Sequence, residues 1–122
     1  TESEARARTG ESEIPRAVQV LNAKQDAILV LKRGPSGCSI WSEGKQIDVP
    51  GFAVEEIDPT GAGDCFSAAF IASLEAGWSL EQAGRFANAA GALAVTQLGP
   101  MEGAPSRHEV ENLLSSEKTA RE

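Results

Sequence analysis

The apolar period of the chain changes at Asp58. Upstream of it, apolar residues run together or alternate with polar ones, which is strand spacing. Downstream, Phe66, Phe70 and Leu74 recur four apart with Ala69 and Ser73 beside them, which is one face of a helix. Between the two regimes stands DPTGAGDCF, Asp58 to Phe66, with two glycines and an alanine crowded between aspartates. Strands before such a break and helices after it must cover one another, so the chain is expected to be an α/β layout with a helix-rich second half.

The elements follow from the same spacing. Ile14, Val18 and Leu21, with Pro15 suited to a first turn, predict a short helix to about Lys24. Ala27 to Leu31, AILVL, is a continuous apolar run and predicts a strand buried on both faces, as in a parallel sheet. KRGPSG breaks it. CSIW and KQIDV alternate around Ser42–Gly44 and predict a hairpin, and PGFAV is a further extended piece. The helix after the break should end at about Gly77. Ser79–Gln82 and Ser106–Glu109 have the form of capping boxes. The first opens a helix lined by Phe86, Ala87, Ala90, Leu93 and Ala94, and the second one carrying Val110, Leu113 and Leu114. Residues 1–13 are dense in charge without an apolar face and, taken alone, predict a mobile tail. Residues 14–115 form the ordered part and 116–122 a polar tail.

Composition excludes several classes. The 122 residues are enough for one domain with a core, and carry a formal net charge of -7. That balance, with no tyrosine, argues against a nucleic-acid surface. No stretch resembles a membrane span or a leader, so no membrane partner is expected and the cytoplasm is the expected compartment. Cys38 and Cys65 are expected to be reduced, and without a CxxC or Cys/His cluster no structural zinc is expected.

Gly61, Ala62 and Gly63 leave bare amides at a helix start, where N–H groups lack intrahelical acceptors and the helix dipole favours anions. Asp64 then falls in the first turn. One reading makes Asp64 a general base beside a bound phosphate. The other is a glycine-rich loop in which Asp64 only complements the dipole. No Lys-Ser/Thr pair follows the glycines, so this is not a P-loop. Cys65 is read as a packed small side chain, His108 and Arg85 as helix-surface residues, and Trp41 and Trp78 as packing residues.

DPTGAGDCF resembles the C-terminal signature of the ribokinase-like (PfkB-type) carbohydrate kinases: Asp, two small or hydroxyl residues, Gly-Ala-Gly-Asp, any residue, Phe. RFANAAGALAVTQLG, Arg85 to Gly99, resembles the helix and loop flanking the family's adenine pocket, and LKRGPSG, Leu31 to Gly37, its nucleotide-site turn. The resemblance implies an ATP- and Mg2+-dependent phosphotransferase acting on a hydroxyl of a sugar or related small alcohol. Asp64 would be the base, and Gly61, Ala62 and Gly63 the anion hole. Lys32, Gly34 and Gly37 would lie near the ATP phosphates and ribose, and Asn88 against the adenine, which Met101–Gly103, in the loop that closes the nucleotide site in relatives, could also touch. Backbone carbonyls near Asp58, Thr60 and the 95–100 loop would hold a monovalent cation such as K+. TESE resembles the family's Asn-x-x-Glu segment, which makes Glu4 a magnesium-organising residue, with Thr1 where Asn is expected.

The implied fold is the C-terminal part of a ribokinase-like three-layer α/β/α domain with a mainly parallel sheet. The glycine-rich sugar signature of the family's N-terminal half does not occur here. The chain is therefore expected to lack that half as a partner, to be inactive alone, and to form a homo-oligomer through an open strand edge. The alternative is a non-catalytic fragment of the family that self-associates and at most binds nucleotide.

Overall fold

The computed structural model describes residues 1–22, 27–96 and 105–121, with side chains through residue 116. Helices α1 (Glu2–Thr9) and α2 (Ile14–Leu21) lead into strands β1 (Leu29–Lys32), β2 (Cys38–Ser42) and β3 (Lys45–Val49), followed by helices α3 (Ala62–Glu75), α4 (Leu80–Ala94) and α5 (Arg107–Arg121). The strands form one sheet in the order β1-β2-β3, antiparallel throughout, with Val30 opposite Ile40 and Ile40 opposite Ile47. The β2–β3 hairpin turns on Glu43 and Gly44, both at positive φ (51° and 76°), the backbone a two-residue turn requires.

Alternation along the strands sends side chains to two helical layers. On one face Cys38, Ile40 and Val49 pack under Phe66 and Phe70 of α3 and Ala83 and Ala87 of α4. On the other, Leu31 packs against Ala5 of α1 and Ala17 of α2. A third cluster joins α4 to α5 through Phe86, Ala89, Ala90 and Val110, with Phe52 beside them. The layers therefore run helix, sheet, helix.

Local signals define the helix ends as expected. Ser79 and Gln82 cap α4 reciprocally, and Ser106 and Glu109 do the same before α5. Gly77, at φ 84°, follows the end of α3, and its N–H donates to the Leu74 carbonyl.

Four expectations are corrected. Residues 1–13 are not a tail taken alone: α1 forms, with a Thr1–Glu4 capping box and a left-handed Gly10 after it. Its apolar contribution is the single buried residue Ala5, too little to show as a periodic face. The AILVL strand is not buried on both faces along its length: it begins at Leu29, only Leu31 is buried, and Ile28 is 44% exposed. Among the described residues β1 pairs on one side only, with β2. No parallel strand pair occurs among the described residues, so the expected mainly parallel sheet is not found in them. The end of α2, expected near Lys24, comes at Leu21.

One crossing of the backbone holds the nucleotide-site turn. After β1, a single 3-10 turn (Gly34–Ser36) brings Gly37 against the exit of β3. A β-carbon on Gly37 would lie 2.0 Å from the Val49 carbonyl oxygen, and one on Gly51 would lie 2.2 Å from that of Pro35. Both segments are bare because the two backbones touch.

Cys38 is buried at 2% exposure beneath α4. Burial pushes its thiol from 9.0 up to about 11. The neutral thiol is thus favoured in the folded state. This contribution is complete below pH 9 and is lost as pH rises from there through about 11. Its size is about 2–3 kcal/mol. Against Cys38→Ala, the wild type is expected to lose that much relative stability between pH 8 and 11 in urea denaturation. A constant difference between the two proteins would mean that the native thiol is not desolvated.

Candidate active site

Three segments meet at one cleft. The end of β1 and its turn supply Lys32, Gly34 and Gly37; the start of α3 supplies Ala62 and Gly63; α4 supplies Asn88. Phe66 and Gly91 also line the cleft, which has a volume of about 230 Å³. The two helices approach closely because α4 is small-sided there. A β-carbon on Gly91 would sit 3.5 Å from the Ala62 carbonyl oxygen.

The loop before α3 is built from backbone. The Ile57 and Asp58 N–H groups both donate to the Val95 carbonyl, at 2.7 and 3.0 Å. Asp58 Oδ1 accepts from the Thr60 N–H at 3.0 Å, an Asx turn. Gly61 then takes φ 85° and begins α3 without any side-chain cap. The Ala62 N–H reaches the Pro59 carbonyl at 3.2 Å. The Gly63 and Asp64 N–H groups follow, in the first turn, where the helix offers no acceptor. The Asp64 side chain is exposed and makes no hydrogen bond or ion pair among the described residues.

Lys32 is not free in the cleft. Its Nζ donates to the Gly63 carbonyl at 3.0 Å and to Ser67 Oγ at 2.7 Å, and lies 5.3 Å from the centre of the Phe66 ring. Asn88 is also occupied. Its Nδ2 donates to the Val49 and Pro50 carbonyls at 3.2 and 3.1 Å, so the residue holds the exit of β3 beside the cleft.

The remaining candidates separate from this centre. Thr1, rather than Glu4, lines the cleft. The Glu4 carboxylate accepts from Thr1 Oγ1 at 2.8 Å, and that bond, chiefly, holds its pKa below the usual carboxylate value. The Val95 carbonyl already accepts two N–H groups, which leaves it poorly placed to hold a cation; residues 97–100 of that loop, and Met101–Gly103, lie outside the described residues. Burial, and then the charge of Asp64, push the Cys65 thiol up, so it is not an activated nucleophile. Arg85 stacks 5.7 Å from the centre of Phe52 rather than standing in solvent, and His108 is exposed. Trp78 meets Phe86 edge-on at 5.2 Å, with Arg107 over its ring, and Trp41 packs beside Leu31.

Sequence reasoning missed Ser67, Phe52, Glu56 and Gly91. Gly91 carried a signal, as a small residue on the face of α4 that meets the glycine-rich start of α3, whereas the partner of Ser67 is Lys32, far away in sequence. Phe52 and Glu56 sit in irregular backbone, where no period marks them.

Comparison with known proteins gives consistent matches. A family model described as pfkB family carbohydrate kinase matches residues 1–107. A ribokinase of Bacillus subtilis is 45% identical over 89 residues, which cover 73% of this chain and 30% of that protein. A solved E. coli protein assigned as ribokinase II, in complex with ATP and Mg2+, superposes with a TM-score of 0.88 at 40% identity, over 94% of this chain and 37% of its own. A double-mutant fructokinase of Vibrio cholerae, with fructose, ADP and a potassium ion bound, superposes with a TM-score of 0.85 at 31% identity, over 91% of this chain and 38% of its own. The chain thus spans roughly a third of the length of the relatives it matches.

Proposed function

The chain belongs to the pfkB family of carbohydrate kinases, and from that premise we propose that it carries the phosphate cradle and the catalytic base of an ATP-dependent sugar kinase. The observation that carries this reading is the convergence of three separate sequence blocks on one cleft, at a helix start with open amides; Asp64 stands in the same first turn, outside the lining residues, and makes no hydrogen bond or ion pair among the described residues.

In the proposed reaction a hydroxyl of a sugar or related small alcohol attacks the γ-phosphorus of ATP. The bond from that phosphorus to the β,γ-bridging oxygen breaks and ADP leaves. Asp64 accepts the hydroxyl proton, which makes the oxygen a better nucleophile as the new bond forms. The Gly63 and Asp64 N–H groups, with the positive end of α3, hold the phosphate oxygens where negative charge develops. Lys32 is the one basic side chain lining the cleft among the described residues. Asn88 has its donors engaged, so its Oδ1 is what remains to accept from the adenine amine.

Mg2+ is usually held by few carboxylates together with substrate phosphates, so a dedicated cage is not required. One carboxylate fits that pattern: Glu4 is exposed and held ionised by its hydrogen bond to Thr1, and Thr1 lines the cleft although Glu4 does not. When bound, the ion would offset charge on the phosphates. For a monovalent cation, the carbonyls around Asp58 and Thr60 are the proposed ligands. The sugar-binding residues and most of the sheet are assigned to a remaining portion of the protein, in keeping with the share of the relatives that this chain spans. The cytoplasm is the proposed compartment; among the described residues no helix is long and apolar enough to cross a membrane.

A second reading is a nucleotide-binding member without phosphotransfer. It is favoured by the edge of β1, which among the described residues is paired on one side only and so suits self-association. One experiment separates the two. ATP binding by calorimetry and ADP release with a panel of sugars are measured on the complete natural protein and on Gly63→Val. A β-carbon at Gly63 meets only Lys32 Nζ, at an ordinary 3.6 Å, so the fold should tolerate it while a bound phosphate would not. We expect sugar-dependent ADP release by the wild type, and ATP affinity about 10-fold weaker in the variant, the loss of roughly one charge-assisted hydrogen bond. ATP binding without ADP release would select the second reading, and unaltered affinity in the variant would remove the cradle assignment.

A further inference from the structure

A lysine beside the first turn of a helix is in an unfavourable place. The dipole there is positive, and cations are stabilising at the other end. Lys32 occupies such a place at the start of α3, and it is fastened there at two points. The Gly63 carbonyl, 3.0 Å away, and Ser67 Oγ, 2.7 Å away, both accept from its ammonium group. The ring of Phe66, 5.3 Å from Nζ, lies beneath it. The residue is also anchored at its own backbone, as the last of β1, paired with Cys38.

The Gly63 carbonyl belongs to the same rigid peptide unit as the Asp64 N–H. In α3 that oxygen also faces the Ser67 N–H four residues on, so the Lys32 bond is a second hold, from outside the helix, on the plane that carries the Asp64 N–H. Ser67 lies one helical turn further on, so Lys32 bridges the first turn to the body of α3. We propose that Lys32 and Ser67 form a clamp that fixes the 63–64 peptide plane, so that the Asp64 N–H and the base on the same residue keep their aim at the transferring phosphoryl group. In this role Lys32 is a positioning residue. It acts through α3, with its charge retained beside the anion rather than delivered by a swinging side chain. The inference rests on the proposed kinase reading of the site.

The clamp makes Ser67 matter, although it lies outside the walls of the cleft. A lysine that served only as a mobile phosphate contact would not need it. The test compares Lys32→Met, Ser67→Ala and the double variant in the complete natural protein. The readouts are kcat and nucleotide KM at saturating sugar, and NMR order parameters of the Gly63 and Asp64 amides without nucleotide. Ser67→Ala is expected to lower kcat about 10-fold, the low end for a hydrogen bond to a charged group, with KM within about twofold. Lys32→Met should lower kcat about 100-fold, as for a misplaced reacting group. The double variant should be no slower than Lys32→Met within about twofold, because both changes break one device. Order parameters should fall from about 0.85 toward about 0.6 at the two amides in each variant.

Wild-type kcat and unchanged order parameters in Ser67→Ala would overturn the clamp. So would a raised KM at unchanged kcat, which would make Lys32 a simple binding contact. If the wild type phosphorylates no sugar, the kinase reading fails, and the order parameters alone then decide the clamp: a fall at Gly63 and Asp64 supports it, and no change removes it.

Discussion

Asp64→Asn in the complete protein is expected to lower turnover about 100-fold or more, since a positioned general base contributes roughly 10²–10⁴. The amide has nearly the shape of the carboxylate and keeps the helix start intact, but it cannot accept the hydroxyl proton. Asp64 makes no hydrogen bond or ion pair among the described residues, so the substitution should break no bond that holds the fold. ATP affinity should therefore stay within about twofold, as for a surface change of about 0.5 kcal/mol or less. This pattern, with kcat lost and nucleotide binding kept, separates a base from a residue that merely complements the helix dipole. Steady-state ADP release at saturating sugar, with calorimetry of ATP on the same preparation, measures both. Near-normal turnover in the variant would return Asp64 to the dipole reading.

Gly37→Ala should have the largest effect on folding. Gly37 is at φ 98°, where a side chain is strained, and its β-carbon would overlap the Val49 carbonyl at 2.0 Å. Strain costs about 1–3 kcal/mol and overpacking about 1–3 more. The sum, about 2–6 kcal/mol, is a large share of the 5–15 or so that holds a typical domain. The turn and the β3 exit cannot separate cheaply, because the same contact recurs from the other side, at Gly51 against Pro35. Gly34→Ala is the control. Gly34 is at φ 57° with nothing within 4 Å of an added β-carbon, so only a left-handed penalty of about 1–2 kcal/mol applies. Urea midpoints of the two variants should differ accordingly. Equal losses would mean that backbone conformation alone, and not the crossing, sets the demand for glycine.

The Gly37 result bears on how the site was legible. Resemblance placed Gly37 near the nucleotide, and it does line the cleft. Its requirement for glycine, however, comes from the chain itself. Asn88 is similar: it stands where an adenine contact is implied, yet both bonds of its Nδ2 hold the Val49–Pro50 backbone. For these residues a single position serves the fold and the proposed site together, and composition cannot divide the two roles.

What the sequence determined by itself was local. The capping boxes at Ser79 and Ser106, the ends of α3 and the turn of the β2–β3 hairpin were readable because their bonds join residues two to four apart. The helix start at Gly61–Asp64 and its bare amides were readable for the same reason, and the signature around Asp64 was specific enough to identify the family. Only the tertiary structure decided the rest. α1 has local caps at Thr1 and Gly10, but what docks it is one alanine that meets Ala17 and Leu31, a contact that leaves no period in a charged segment. The strand at Leu29–Lys32 looked like the middle of a parallel sheet, because an apolar run records how much burial a segment seeks and not which strand lies beside it. Its neighbour here is antiparallel β2. The grip of Lys32 on Gly63 and Ser67 spans more than thirty residues. The contact between Gly37 and the end of β3 depends on how two backbones cross. Such contacts follow from the distance between segments after folding, and a linear pattern of residue types does not encode that distance.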